Sequence, residues 1–192
     1  MIDRARFFST IRQAFGSLAQ PQVDGLSFLL SRYEADEAMS DRRFIAYGLA
    51  TEKHEGANKW VPIEEYGKGR GHSYGEPAGP FGHRYYGRGR VQLTWLRNYQ
   101  TMQDRLGTII VDGAAVPRVP LVEHPELALD PTHSYEILSV GMREGLFTGR
   151  KLADYIHADA TDYLNCRRVI NGLDRADTVA GYAVTFQSAL GA

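Results

Sequence analysis

From Gly67 to Gly89 the chain carries eight glycines in 23 positions. Glycine is the weakest former of helix and strand interiors after proline, so this density rules out a regular element. It does not read as a flexible linker either, because Tyr74, Phe81, Tyr85 and Tyr86 are interleaved with the glycines. Long loops inside a domain are uncommon and usually functional. The stretch runs into "RYYGRGRVQLTW" at 84–95, with two Tyr, one Trp, three Arg and two Gly in twelve positions. Aromatic and polar side chains beside glycines that let a ligand approach the backbone suit a surface for a large, hydroxyl-rich ligand.

The segments around this loop read as helices. Phe7, Ile11 and Phe15 form an apolar stripe over residues 2–16. Pro21 breaks the chain, and a second helix follows with Val23, Leu26, Leu30 and Tyr33 on one face. Ser40 reads as the N-cap of a third helix, with Asp41 in its first turn. That helix runs to Glu55, puts Phe44, Gly48, Thr51 and Glu55 on one face, and stops at Gly56. Gly48, costly inside a helix, marks a close helix contact. A fourth helix is expected from Thr94 to Gly107, then a hairpin or extended excursion over 108–122 with Asp112-Gly113 as its turn. Asp130-Pro131 starts the next helix, which ends at Gly145. Asp159 is expected to cap a helix ending at Asn171-Gly172, and Val179, Ala183, Phe186 and Leu190 stripe the last. The class is mainly α, with minor β around the central loop.

The 192 residues, 43% of them hydrophobic, suffice for a single domain with a real core. A net charge of −1 argues against a dedicated nucleic-acid binder. Cys166 is the sole cysteine, so no internal disulfide and no multi-thiolate zinc site can form. The six histidines show no paired ligand spacing, and no metal or cofactor is expected. The N-terminus has no secretory h-region, and no apolar run nears the ~20 residues that span a bilayer. The expectation is a monomer, made soluble in the cytoplasm and not inserted in a membrane. "GHSYG" at 71–75 matches the nucleophile-elbow pattern around Ser73, but glycine-rich loop stands where a strand and a helix are required. "GKGRG" is no phosphate loop.

Three constellations bear on chemistry. Glu55 in "HEGANKW" shares the face of Phe44 and Gly48 and sits at a helix C-terminus. Inward packing and the helix dipole would both raise its pKa, as a general acid requires. The plainer alternative is a helix-end Glu held by a local Arg or Lys. Glu64-Glu65 lies at the mouth of the glycine-rich loop, where a second carboxylate would complete a glycosidase pair. Alone, it reads as a solvated acidic turn. From Gly67 to Arg97 stand Lys68, Arg70, Arg84, Arg88, Arg90 and Arg97 against the single acid Glu76. Such bases with aromatics could stack single-stranded nucleic acid or hold an anionic sugar polymer. Gln92, Thr94 and Asn98 suit sugar hydroxyls and amides.

"AYGLATEKHEGANKW", "PIEEYG", "YYGRGRVQLTW" with Asn98-Tyr99, and "RRVINGLDRAD" follow one another in an order that resembles family 19 glycoside hydrolases. These are chitinases and related phage and bacterial endolysins of the lysozyme-like superfamily. The resemblance spans about residues 44–190, and its compactness is closer to the endolysin branch. It implies a two-lobed, mainly α, lysozyme-like fold with a substrate cleft, formed by one catalytic domain over 1–192 without a separate wall-binding domain. It implies cleavage of β-1,4 bonds between N-acetylated amino sugars with inversion, in peptidoglycan or in chitin. Glu55 matches the general acid. Glu65 matches the base, with Glu64 as the alternative, and Thr94 a residue that positions the attacking water. His54, Tyr86, Arg88, Gln92, Trp95, Asn98 and Asn171 fall at substrate-side positions.

Two departures stand out. Gly56-Ala57-Asn58 replaces the usual Ser or Thr followed by Gly, and the 108–122 excursion is long. The basic loop favours peptidoglycan as substrate, and the absent export signal fits an endolysin that reaches the wall through a membrane pore such as a phage holin. The alternatives are a chitinase and an inactive glycan-binding protein.

Overall fold

The computed structural model describes residues 1–191. The chain divides into two compact units, Met1–Trp60 with Met142 onward, and Val61–Gly141. The fold is mainly α with small two-stranded sheets.

The first unit is built of packed helices. α1 (Arg4–Phe15) is capped by Asp3, whose carboxylate accepts from Arg6 N at 3.0 Å. α2 (Gln20–Ala35) takes Pro21 into its first turn, where a missing N–H costs nothing. α3 (Arg42–Glu55) is capped by Asp41, whose Oδ1 accepts from Arg43 N at 2.8 Å. Ser40 is not the cap: it closes the preceding turn (Glu37–Met39) in helical backbone, whereas Asp41 has the extended backbone that capping requires. Gly48 marks a close contact as expected, because a Cβ there would lie 2.2 Å from the Tyr33 hydroxyl.

The chain re-enters this unit at Met142. A hairpin of β5 (Ile156–His157) and β6 (Ala160–Thr161) precedes α6 (Tyr163–Cys166) and the 3₁₀ turn Arg167–Val169. The expected Asp159-capped helix is therefore wrong at its start. Asp159 lies in the hairpin turn beside Ala158 at φ 41°, and Asp162 caps α6 by accepting from Asn165 N. α7 (Ala176–Leu190) packs on α1 and α3. Its Val179, Ala183 and Phe186 are fully buried. Phe186 meets Phe7, Phe15 and Trp60 at ring-centroid distances of 6.3, 5.5 and 5.7 Å.

The second unit has little regular structure. β1 (Ile63–Glu64) pairs antiparallel with β2 (Arg88–Gly89), in register Ile63 with Gly89 and Glu64 with Arg88. Between them the glycine-rich loop folds on itself as an ordered segment. Gly69 and Gly75 approach so closely that a Cβ on Gly75 would meet the Gly69 oxygen at 2.0 Å. α4 (Leu96–Leu106) begins two residues later than expected, after Trp95. β3 (Thr108–Val111) and β4 (Ala114–Pro117) form the anticipated hairpin around Asp112-Gly113, both at positive φ. α5 (Pro131–Glu144) starts at Asp130, whose Oδ1 accepts from Thr132 N and His133 N. Among the described residues no helix is long and apolar enough to cross a membrane.

Candidate active site

Glu55 ends α3, with its side chain 21% exposed. Arg167, only 2% exposed, donates from Nη1 to Glu55 Oε1 at 2.7 Å and from Nε to Asp174 O at 3.0 Å. Glu55 is thus a helix-end Glu held by an arginine, one distant in sequence and not the local one that the plainer alternative expects. Burial pushes the nearby Tyr47 phenol well above its ordinary value, and it does the same to the Cys166 thiol. His54 precedes Glu55 and is half-buried.

The Gly56-Ala57-Asn58 departure is a helix stop made without a left-handed glycine. Gly56 has φ −83°, while Ala57 and Asn58 take φ 49° and 61°. Asn58 earns its place: its Oδ1 accepts from Lys53 Nζ at 2.9 Å and its carbonyl from Gln22 Nε2 at 2.8 Å. Asn tolerates this backbone region better than Ala, which adopts it at position 57 against its preference.

In the second unit Glu64, which ends β1, and Glu65, which follows it, have different partners. Glu64 accepts from the Tyr86 hydroxyl at 2.6 Å, meets Lys68 Nζ at 3.1 Å and lies 3.8 Å from Arg88 Nε. The Tyr86 bond, against some desolvation, and then Lys68 hold its carboxyl below the usual range. Glu65 is held by neutral donors: Tyr74 Oη reaches Oε1 at 3.1 Å, and Gly87 N reaches Oε2 at 3.0 Å.

Arg88, expected on the substrate side, is 6% exposed; its guanidinium stacks 3.7 Å over the Tyr86 ring, and Nη1 donates to Arg84 O, Tyr86 O and Tyr99 Oη. A guanidinium enclosed by carbonyls and a ring positions the loop. Arg90 is buried as well, so the basic stretch presents Arg70, Arg84 and Arg97 outward with the Glu64-bound Lys68. Tyr86 likewise spends its hydroxyl on Glu64.

Gln92, at φ 52°, donates from Nε2 to Ile63 O at 3.0 Å and Gly89 O at 3.1 Å, bracing β1 and β2. Its Oε1 is the remaining acceptor. Thr94 Oγ1 donates to Gln92 O at 2.7 Å and keeps its lone pairs. Asn98 Nδ2 caps back onto Thr94 O at 2.8 Å. Trp95 is 49% exposed at φ 74°, a conformation bulky residues rarely adopt, and its N–H donates to Tyr85 O at 2.7 Å. Tyr74 meets its ring edge-on at 5.4 Å, and His72 stacks on Tyr74 at 4.9 Å. Asn171, in the first unit, is exposed and accepts from Gly172 N with Oδ1.

Sequence reasoning missed Arg167 and Tyr74 as partners of the two carboxylates. Arg167 opens the quoted "RRVINGLDRAD", and Tyr74 was visible only as a loop aromatic. Neither position carries a local signal for its partner. Among the described residues no group of three His, Cys, Asp or Glu could hold a metal ion.

No family model matches the chain, and no curated protein matches it in sequence. Solved structures do. Chitinase C from Streptomyces griseus aligns with a TM-score of 0.60 and 22% identity, over 99% of this chain and 92% of that one. A mutant of chitinase C aligns at 0.56 and 20%, with the same coverage. A bacterial family 19 chitinase aligns at 0.48 and 21%, over 99% and 95%. The likeness to chitinase C shows the fold, the mainly α one that the motifs implied.

Proposed function

We propose that the chain is a glycoside hydrolase that cleaves β-1,4 bonds between N-acetylated amino sugars, with peptidoglycan as its polymer. The observation that carries the reading is Glu55: a partly exposed carboxyl with one oxygen fixed by a buried guanidinium. Supporting it are the fold shared with chitinase C and the motif resemblance around Glu55, Glu65 and Thr94. A polymer with carboxylates fits the outward Arg70, Arg84 and Arg97. Chitin is the second reading, favoured by the fold's likeness to a chitinase.

In the proposed reaction Arg167 fixes Oε1 of Glu55, so Oε2 carries the proton to the leaving glycosidic oxygen. Glu65 is the base. Each of its oxygens accepts one bond from a neutral donor and keeps a lone pair for water. Glu64 is the poorer base, because Tyr86, Lys68 and Arg88 already stabilise its anion and weaken its pull on a proton. Thr94 Oγ1, whose proton is committed to Gln92 O, can accept one water hydrogen while Glu65 accepts the other. Attack of that water on the anomeric carbon, as the bond to the leaving oxygen breaks, inverts the configuration. The test is reducing-end release from purified peptidoglycan and from soluble chitin oligomers, by wild type and Glu55→Gln in parallel. Release from peptidoglycan that vanishes in the variant bears the reading out; release from chitin alone moves the substrate, and release from neither sinks the glycosidase.

A further inference from the structure

Three arginines in the helical unit pair with carboxylates: Arg4 with Glu34 at 2.6 Å, Arg43 with Asp41 at 2.7 Å, Arg167 with Glu55 at 2.7 Å. Arg150 and Arg168 differ. Both are exposed, and among the described residues neither is paired with a carboxylate. They nonetheless line one pocket of about 530 Å³, with Thr148, Tyr155, Ile170 and Asn171. No acidic side chain lines it.

The backbone is tied so as to bring these two like charges together. Gly149 N donates to Gly145 O at 2.8 Å, closing a tight turn after α5. Thr148 Oγ1 donates to Arg168 O at 2.5 Å, and Arg150 N donates to Thr148 Oγ1 at 3.3 Å. One hydroxyl thus joins the turn that carries Arg150 to the 3₁₀ segment that carries Arg168. Asn171 uses its oxygen on Gly172 N, which leaves its amide N–H groups as donors. Two guanidiniums, an amide donor and the Tyr155 side chain, without an acid, form a site for an anion.

We propose that this pocket is a subsite for a carboxylate carried on an amino-sugar polymer. That chemistry separates peptidoglycan, which bears stem-peptide carboxylates or, where the peptide is missing, free lactyl carboxylates, from neutral chitin. The inference rests on the glycosidase reading above and adds the feature that selects its substrate.

The experiment measures binding by calorimetry in a Glu55→Gln background, which prevents turnover. Three ligands are compared: chitotetraose, a peptide-free peptidoglycan tetrasaccharide with its lactyl carboxylates, and the same tetrasaccharide bearing stem peptides. The acidic ligands are expected to bind more tightly than chitotetraose. Adding Arg150→Gln and Arg168→Gln together removes that preference, a loss on the order of tenfold or more for two charge-assisted contacts, and leaves chitotetraose affinity unchanged. Loss confined to the stem-peptide ligand assigns the pocket to the peptide carboxylate; loss confined to the peptide-free ligand assigns it to the lactyl carboxylate, which amide linkage to the peptide removes; loss with both shows that it takes either carboxylate. Chitotetraose binding as tightly as the acidic ligands overturns the inference while leaving the glycosidase intact. Equal weakening of all three ligands overturns it too, as general damage to the site. Failure to bind any of them brings down the glycosidase reading itself.

Discussion

The two units hold their carboxylates by different means. In the helical unit, Glu55 ends a helix whose position is set by packing, and a single buried guanidinium fixes one of its oxygens. In the loop-built unit, Glu65 sits beside a two-residue strand and is held by a phenol and a backbone N–H. Helix packing supplies rigidity through many weak contacts, so one strong bond suffices to orient the side chain. A glycine-rich segment has few such contacts. It is held by explicit hydrogen bonds and by buried Arg88, which gathers three acceptors from the loop and α4. The first unit is therefore expected to fail through its core and the second through its polar network.

The carboxylates give the largest contrast. Glu65→Gln is expected to lower kcat about 10²–10⁴-fold, the range for a lost general base, while Glu64→Gln leaves kcat within about tenfold. Reversal of that order would exchange their roles. Glu64→Gln should show itself in acid instead. Its carboxyl is held below the ordinary value, so its contribution to stability is full above ~4.3 and is lost as the pH falls through the lowered folded value. Melting curves against pH should thus have a flatter acid limb in the variant, and an unchanged limb would contradict this assignment.

Phe186→Ala, at the meeting of Phe7, Phe15 and Trp60, is expected to cost about 3–5 kcal/mol in denaturant unfolding. A cost below 1 kcal/mol would mean that packing does not dominate this unit. Arg167→Gln should lower kcat by about ten- to a hundredfold with KM little changed, since the acid is misaimed and not removed. If KM rises and kcat stays level, Arg167 binds substrate and does not position Glu55. Tyr74→Phe removes one neutral bond to Glu65, worth about 0.5–1.5 kcal/mol, and should lower kcat roughly two- to tenfold. The smallest effect is Ala57→Gly, which relieves φ 49° and should raise stability by about 0.5–1 kcal/mol; a fall in the melting midpoint would show that the Ala methyl is needed.

What could be read from the sequence follows the same division. The stripe of α7, the Asp112-Gly113 turn and the Asp130-Pro131 start are local signals, and each lies where its residues put it. Ser40 and Asp159 misled because each lies close to a better-placed aspartate: backbone conformation, set by the preceding turn or hairpin, decided which residue caps. At the site, the candidate carboxylates were legible as residues and their environments were not. The partner of Glu55 is 112 positions away. The burial of Arg88 depends on Tyr86 and Tyr99 closing around it, and no count of charges along a loop reports that. The basic stretch therefore looked more available to a ligand than it is.

Glu55 as acid and Glu65 as base, the roles proposed above, require hydrolysis with inversion. The most direct measurement is proton NMR of the first products released from a β-1,4-linked oligosaccharide, recorded before the anomers equilibrate. The account predicts that the α-anomer appears first and the β-anomer grows in only by mutarotation. Initial release of the β-anomer would contradict it, since retention requires a nucleophile where this account places a water.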